Sequence, residues 1–127
     1  MVILISLTAG IIAVILPNFI KCHCGGSLTA CKSNCKNLAT ALEMYASDNA
    51  GWYPDQLSDL LPGNYLKVLP TCPEAKAMSY TDYVAFGNKS FRFSCVGNNH
   101  VRAYTGFSTC SNNYPQYSGE EGLLDHP

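Results

Sequence analysis

Charged side chains are scarce in this sequence of 127 residues, of which they make up 13%. The first twenty positions contain none at all. Basic residues are not in excess either, because 8 Lys and Arg stand against 9 Asp and Glu, and this balance argues against a nucleic-acid partner. The composition also excludes collagen-like, low-complexity and wholly disordered chains. We expect one small folded unit joined to an uncharged N-terminal segment.

The sequence also lacks the short motifs of common enzyme classes. It contains no G-x-S-x-G nucleophile turn, no H-E-x-x-H metal motif and no glycine-rich phosphate loop. Its 7 cysteines include neither a C-x-x-C-H haem attachment nor a C-x-x-C redox pair. We therefore expect no enzyme activity, no catalytic residue and no cofactor.

Residues 1–20 form an apolar run, MVILISLTAGIIAVILPNFI. As a helix rising about 1.5 Å per residue it reaches roughly 30 Å, the thickness of bilayer hydrocarbon. A cleavable signal peptide is the competing interpretation, but the run is long for one and no basic residue precedes it. Gly10 and Pro17 are expected to loosen or kink the helix. Lys21 alone would place the following domain in the cytoplasm, whereas the cysteines favour an oxidising compartment, a conflict that a removed basic leader would resolve.

A second helical pattern follows Gly25 and Gly26. Apolar side chains recur at steps of three and four, as one face of a helix requires. They are Leu28, Cys31, Cys35, Leu38, Leu42 and Tyr45. The pattern predicts an amphipathic helix that ends near residues 48–51, with Gly51 as its terminator, and a single helix of roughly fifty residues is possible because no clear stop separates it from the apolar run.

These segments resemble the type IV pilins and the related major pseudopilins of type II secretion. The matching residues are LPNF at 16–19, the polar-faced helix at 30–45, DNAGWYP at 48–54 and PTCP at 70–73. The resemblance covers nearly the whole chain and is most specific over the first 75 residues. Family members begin with an N-methylated Phe and carry a Glu five residues in. Neither is present here, and we expect that about five residues of the mature start are omitted.

The resemblance implies an α+β fold in which a small antiparallel sheet packs on a long N-terminal helix. It divides the chain into an apolar transmembrane and polymerisation helix (1–24), an amphipathic half of the same helix (25–51) and a globular head (52–127). The expected function is that of a structural subunit of an extracellular type IV pilus-like filament. Its partners would be copies of itself, the inner membrane before assembly and the assembly machinery. The expected polymerisation residues are Leu4, Leu7, Ile11, Ile12, Val14, Ile15, Pro17 and Phe19.

Two alternatives remain open at this point. One is a major pseudopilin that forms the periplasmic pseudopilus of a type II secretion system. As in such pseudopilins, the tail carboxylates Glu120 and Glu121, with Asp125 nearby, could bind calcium, although a solvated acidic tail is the simpler expectation. The other is a membrane-anchored extracytoplasmic module that binds metal or acts through its thiols.

In the head, the pattern predicts a short helix at 55–61, strands at 80–86, 90–96 and 100–104, and an irregular tail over 105–127. The apolar face of the sheet would draw on Val84, Phe86, Phe91, Phe93 and Val101. Tyr45, Trp52 and Tyr53 are expected to pack between helix and head. Asn88 begins a glycosylation sequon in an exposed turn.

The cysteines suggest disulfides, because a head of this size has little core. Cys72 and Cys95 are the first expected pair, at positions where the resemblance includes cysteines. Cys31 and Cys35 share one helix face, and Cys110 is a candidate partner for either. Cys22 and Cys24 would be free or pair between subunits, since an odd total leaves at least one thiol unpaired.

Metal binding is not expected at Cys22, His23 and Cys24 together with Cys31 and Cys35. Their C-x-C and C-x3-C spacing is not a usual zinc pattern. His100 and His126 are expected at the surface.

Overall fold

The computed structural model describes residues 2–103 and 113–124, with the side chains of 2–9, 13–25 and 102 left out. Helix α1 (Val2–Asp48) comes first, followed by a 3₁₀ helix at Leu57–Leu60, strands β1 (Val84–Ala85) and β2 (Phe91–Ser94), a second 3₁₀ helix at Val101–Ala103, and strands β3 (Gln116–Ser118) and β4 (Gly122–Leu124). The α+β class is confirmed, as one long helix and a four-stranded antiparallel sheet.

Helix α1 runs for 47 residues without interruption, through Pro17, Gly25 and Gly26. Its length is therefore about 70 Å at 1.5 Å per residue. The pair of glycines does not break it, because glycine weakens a helix interior by only about 1 kcal/mol and keeps its backbone hydrogen bonds. The predicted end is confirmed: Gly51, with φ 88°, donates its N–H to the Ala46 carbonyl at 2.7 Å.

The sheet is a meander with strand order β1-β2-β3-β4. On the face toward α1, Phe93 of β2 stands opposite Tyr117 of β3, which stands opposite Leu123 of β4. The rings of Phe93 and Tyr117 are nearly parallel, with centroids 5.8 Å apart. This row of cross-strand neighbours joins three of the four strands through side-chain contact.

The core lies between this face and the second half of α1. The predicted helical stripe is confirmed, since Leu28, Cys31, Cys35, Leu38 and Leu42 are all buried and Tyr45 packs against the same cluster. Among the described residues, Leu60, Tyr80, Phe91, Phe93 and Pro115 are also fully buried.

Only part of the predicted sheet face was right. Phe91 and Phe93 are buried, but Val84, Phe86 and Val101 are exposed. Val84 pairs with Arg92, so it shares the outer face with that residue, and Phe86 follows two positions later on the same side. Val101 belongs to a 3₁₀ helix rather than to the predicted third strand.

The tail was also mispredicted, because it supplies two strands of the sheet. Strands β3 and β4 form a hairpin around residues 119–121, with Gly122 at φ 77°. Each strand has only three residues, too few for an alternating pattern to be visible in the sequence. The predicted helix at 55–61 is reduced to the 3₁₀ helix Leu57–Leu60, and the predicted strand at 80–86 to Val84–Ala85.

Strand β1 is short because the Asp82 side chain, instead of a backbone carbonyl, accepts the next hydrogen bond of the β1-β2 ladder. In the β1-β2 register, Asp82 is the position opposite Ser94, but its carboxylate, not its carbonyl, accepts the Ser94 N–H at 2.7 Å. The second carboxylate oxygen accepts the Ser94 hydroxyl. Asp82 therefore ties the end of β2 to the chain before β1.

Of the expected aromatic contacts, two of three are present. Tyr45 and Tyr53 pack against the core, and the Tyr53 ring lies edge-on to Phe91 at 4.9 Å. Trp52 is 57% exposed and lies outside the core, over Gly87, where a Cβ would come within 3.3 Å of the indole.

We predict that truncations in the two halves of α1 differ sharply in their effect. Leu42→Ala removes a fully buried side chain and should lower the free energy of unfolding by about 2–5 kcal/mol. Ile11→Ala, at a position 56% exposed, should change it by less than about 0.5 kcal/mol. Denaturant titration of the full chain in detergent, followed by near-ultraviolet circular dichroism of the head, measures both. Equal changes in the free energy of unfolding for the two variants would contradict the conclusion that the head is stabilised by the second half of α1 and not by the region around Ile11.

A second prediction concerns Asp82. Asp82→Ala leaves the Ser94 N–H without its acceptor and should destabilise the head by about 1–3 kcal/mol. Asp82→Asn keeps a carbonyl oxygen in the same place and should lose less. Hydrogen exchange of the Ser94 amide reports the contact directly, and unchanged protection in the alanine variant would contradict the role given to the carboxylate.

Candidate functional site

The first candidate surface is the N-terminal half of α1. All eight expected polymerisation residues belong to this helix. Ile11 and Ile12 are 56% and 55% exposed, and the side chains of Leu4, Leu7, Val14, Ile15, Pro17 and Phe19 lie outside the described ones. Within the described part of the chain, no helix satisfies both the length and the hydropathy needed to cross a membrane.

The second candidate is a set of four buried side chains, Cys31, Cys72, Cys95 and His100, called here the Cys–His cluster. Their sulfur and ring nitrogen atoms all lie within 4.8 Å of one another. Cys31, Cys72 and Cys95 are fully buried and His100 is 4% exposed. The prediction that His100 lies at the surface was therefore wrong, because the turn at 97–100 brings its ring beside the cysteine sulfurs. His126 lies outside the described residues.

Cys31 is carried by α1 and Cys72 by a tight loop packed beside it. The Cys72 N–H donates to the Ala77 carbonyl at 2.9 Å, and the Lys76 N–H donates to the Cys72 carbonyl at 2.8 Å. Lys76 has φ 53°, which closes the turn. The loop is tied to the helix on both sides of Cys31, by Asn34 Nδ2 to the Thr71 carbonyl at 2.9 Å and by Ser27 Oγ to Glu74 Oε2 at 2.7 Å.

Cys95 follows β2 directly and is held between two neighbouring segments. Its N–H donates to the Pro115 carbonyl at 2.9 Å, and the next N–H, of Val96, donates to the Ser79 carbonyl at 2.8 Å. The chain then turns through Gly97, at φ 106°, and brings His100 back beside the sulfur atoms. His100 Nε2 lies 3.3 Å from Cys72 Sγ, whereas its Nδ1 is buried with no hydrogen-bond partner among the described residues.

Each sulfur atom of the Cys–His cluster has a hydrogen-bond donor beside it. The Tyr80 hydroxyl lies 3.2 Å from Cys31 Sγ. The nearby backbone N–H groups of Ala75 and Glu74 act to lower the pKa of Cys72. Asn99 Nδ2 donates to Cys95 Sγ at 3.6 Å and to the Val96 carbonyl at 2.9 Å. Donors of this kind favour a negatively charged sulfur.

Without a cation, however, the three thiols stay protonated at neutral pH. The hydrogen bond with Cys35 and then burial raise the pKa of Cys31 to about 12. The hydrogen bond with Cys31 and burial raise that of Cys95 to about 12, and burial raises the pKa of Cys72. Burial also raises the pKa of Tyr80, so its phenol remains a donor. The hydrogen-bond donors around the sulfurs would stabilise thiolates, whereas burial in the apolar interior disfavours the negative charge of a thiolate.

The structure brings together some of the expected cysteines and leaves others apart from the cluster. Cys31, Cys72 and Cys95 meet, and Cys35 is buried one turn along α1 beside Cys31; all four are free thiols. The Cys72–Cys95 disulfide thus stays a prediction. Cys110 lies outside the described residues, as do the side chains of Cys22 and Cys24.

His100 is a member of this site that was not predicted from the sequence. A signal was present, because Cys95 and His100 are separated by four residues in a turn rich in Gly and Asn, a spacing compatible with ligands to one metal. The metal set considered from the sequence consists instead of Cys22, His23, Cys24, Cys31 and Cys35. The sequence does not show that the loop at 72–77 lies close to Cys31 and to the turn that carries Cys95 and His100.

The acidic residues of the tail occupy a different place. Glu120 and Glu121 are exposed in the turn between β3 and β4, beside a groove on the outer face of the sheet that Arg92 and Gln116 also line. Asp125 lies outside the described residues. Asn88 is exposed in the turn before β2, as the glycosylation hypothesis requires.

The chain was also compared with known proteins. No protein-family model, no curated protein and no solved structure matches it.

Proposed function

We propose that this protein is a structural subunit of a type IV pilus-like filament, which it joins through the N-terminal half of α1. The observation that carries the proposal is the unequal use of this helix by the head. Among the side chains that the structure describes, the buried stripe begins at Leu28, although the helix begins at Val2. About 26 residues, or roughly 39 Å of helix, therefore precede the part that the head covers.

The part of α1 before Leu28, residues 2–27, is called here the leading segment. Its apolar side chains need an environment that shields them from water. The first twenty positions of the chain carry no charge, and Ile11 and Ile12 are more than half exposed. Burying a large apolar side chain is worth about 1.5–3 kcal/mol, so a rod with many of them is driven out of water. Two environments bury such a rod equally well: the hydrocarbon of a bilayer, and a bundle of identical rods.

A bundle of these rods would grow without limit. Each rod is attached to a head on one end only, so neighbouring copies pack with an axial offset that lets one rod lie along the next. Contacts between different surfaces of identical subunits produce an open helical filament unless the rotation closes. In this proposal the chain waits in the inner membrane and leaves it when the assembly machinery adds it to the fibre.

The head is attached firmly to the second half of α1. It is fixed to residues 28–46 of α1 by a continuous apolar core, and the Ser27 and Asn34 side chains tie the loop at 71–74 to the helix. Among the described side chains, Ile11 and Ile12 take no part in the core. In this proposal the segment before Leu28 exchanges lipid neighbours for protein neighbours while the head stays folded.

We predict that Ile12→Asp abolishes polymer formation and leaves the head intact. A carboxylate in a packed apolar bundle has no partner to offset its desolvation, whereas the same residue contributes nothing to the described core. The matched control is Ile12→Leu, which preserves volume and hydropathy. Polymer is measured by electron microscopy and sedimentation after detergent removal, and head folding by near-ultraviolet circular dichroism.

Normal filaments from the aspartate variant would refute the proposal. Loss of head structure in that variant would contradict the separation of rod and head on which it rests.

The pseudopilin alternative has one observation in its favour, the adjacent carboxylates Glu120 and Glu121 in the β3-β4 turn. For the pilus-like subunit we expect fibres in material sheared from cells that assemble it, and no change in the melting temperature of the head on addition of calcium chloride. A rise in melting temperature that is lost in Glu120→Ala or Glu121→Ala, together with the absence of surface fibres, would favour the pseudopilin instead.

A further inference from the structure

We propose that the Cys–His cluster is a structural metal site, in which the sulfurs of Cys31, Cys72 and Cys95 and a ring nitrogen of His100 bind one zinc-like divalent cation. The site is independent of the filament proposal, because none of its ligands lies in the leading segment of α1.

The spacing of the four donor atoms is compatible with a closed tetrahedral site, since all lie within 4.8 Å of one another. A regular tetrahedron with 4.8 Å edges, the largest separation in the cluster, places its corners about 2.9 Å from the centre, against about 2.3 Å for a Zn–S bond and 2.0–2.1 Å for Zn–N. Each donor therefore has to move inward by less than about 1 Å. Side-chain rotation alone supplies such a movement.

The surroundings of the sulfur atoms match a set of bound thiolates. The Tyr80 hydroxyl lies 3.2 Å from Cys31 Sγ, and Asn99 Nδ2 donates to Cys95 Sγ at 3.6 Å. Cys72 Sγ has the Ala75 and Glu74 backbone N–H groups nearby, which act to lower its pKa. A neutral thiol is a weak acceptor, whereas a metal-bound thiolate carries charge that such donors stabilise. A donor at every sulfur is what the outer shell of a thiolate site requires.

The position of His100 supports the same assignment. Its ring is buried, its Nε2 faces Cys72 Sγ at 3.3 Å, and its Nδ1 has no partner among the described residues. An imidazole that exchanges water for contact with sulfur alone loses strong hydrogen bonds and gains weak ones. A metal–nitrogen bond would replace them.

A disulfide accounts for less of the cluster. Oxidation of any two of the sulfurs would use two of the four converging atoms and leave the third thiol and His100 without a role. It would also leave no thiolate for the surrounding donors to stabilise. One cation uses all four atoms.

Three thiolates and one imidazole favour zinc among the abundant divalent metals, since softer sulfur ligands select it over calcium or magnesium. Binding converts three thiols to thiolates, so three S–H bonds break and three protons pass to water. No oxidant or reductant takes part. The product carries a net charge of −1 at the metal centre.

The site would join three separate parts of the fold: α1 through Cys31, the loop at 72–77 through Cys72, and the end of β2 with its turn through Cys95 and His100. A small head with a limited core gains stability from such a link. Tyr80 and Asn99 are outer-shell groups, and Cys35 is buried nearby without belonging to the set.

The test uses the full chain, purified in detergent under reducing conditions without chelator. Native mass spectrometry with zinc chloride should give one zinc per chain, and cobalt chloride should give the charge-transfer and ligand-field absorption of a four-coordinate site with thiolate ligands. Cys31→Ser, Cys72→Ser, Cys95→Ser and His100→Gln should each weaken zinc binding more than a hundredfold. Tyr80→Phe should weaken it by about 10–100-fold, as expected for the loss of an outer-shell hydrogen bond.

Two controls keep the result interpretable if a ligand variant fails to fold. Cys35→Ser changes a buried cysteine of the same helix and should retain one zinc. His100→Cys supplies a fourth sulfur in place of the nitrogen and should restore binding, with a cobalt spectrum shifted by the added thiolate.

Three results would overturn the proposal. The first is reduced, folded protein that binds no stoichiometric zinc or cobalt. The second is a disulfide among Cys31, Cys72 and Cys95 that forms again when the reduced protein is reoxidised with zinc present. The third is a bound zinc that survives all four ligand substitutions, which would place the metal elsewhere in the chain.

Discussion

The burial of one face of α1 against the inner face of the sheet supports the rest of this structure. Leu38 and Leu42 of the helix and Phe91 and Phe93 of the strand are fully buried and belong to one apolar cluster. A strand of four residues, such as β2, has little stability by itself, and the other three strands of the sheet are shorter still. The sheet therefore depends on the helix for its existence. The loop at 72–77 and the turn at 97–100 in turn depend on the sheet and helix for their relative positions.

This dependence explains which parts of the fold were predictable from sequence. Helix α1 was predictable because its pattern is local: twenty uncharged residues are followed by apolar side chains at steps of three and four. Strand β2 was found for the same reason, through Phe91 and Phe93. The hairpin of β3 and β4 was not, since strands of three residues are formed by pairing with β2 and leave no independent pattern in the sequence.

The Cys–His cluster shows the same division at the level of a site. The sequence pattern predicts Cys31 on the buried helix face, and the resemblance implies Cys72 and Cys95 as partners. The structure brings all three together. His100 was predicted at the surface, because a histidine in a polar turn has no local feature that indicates burial. The fold of the turn after Cys95 decides its position, through Gly97 and the Asn99 hydrogen bonds. Convergence of residues 31, 72 and 100 is a property of tertiary structure alone.

The shortness of β1 has a consequence for copies of the head that are crowded together. An open sheet edge is a template for the backbone of a neighbouring chain, and long flat edges lead to aggregation. Here Asp82 turns its carboxylate onto Ser94 and ends the ladder after two residues, so the edge at β1 presents little backbone to a second copy. Heads held side by side at high local concentration would meet through their side chains on this side, and could slide or separate again without fusing their sheets.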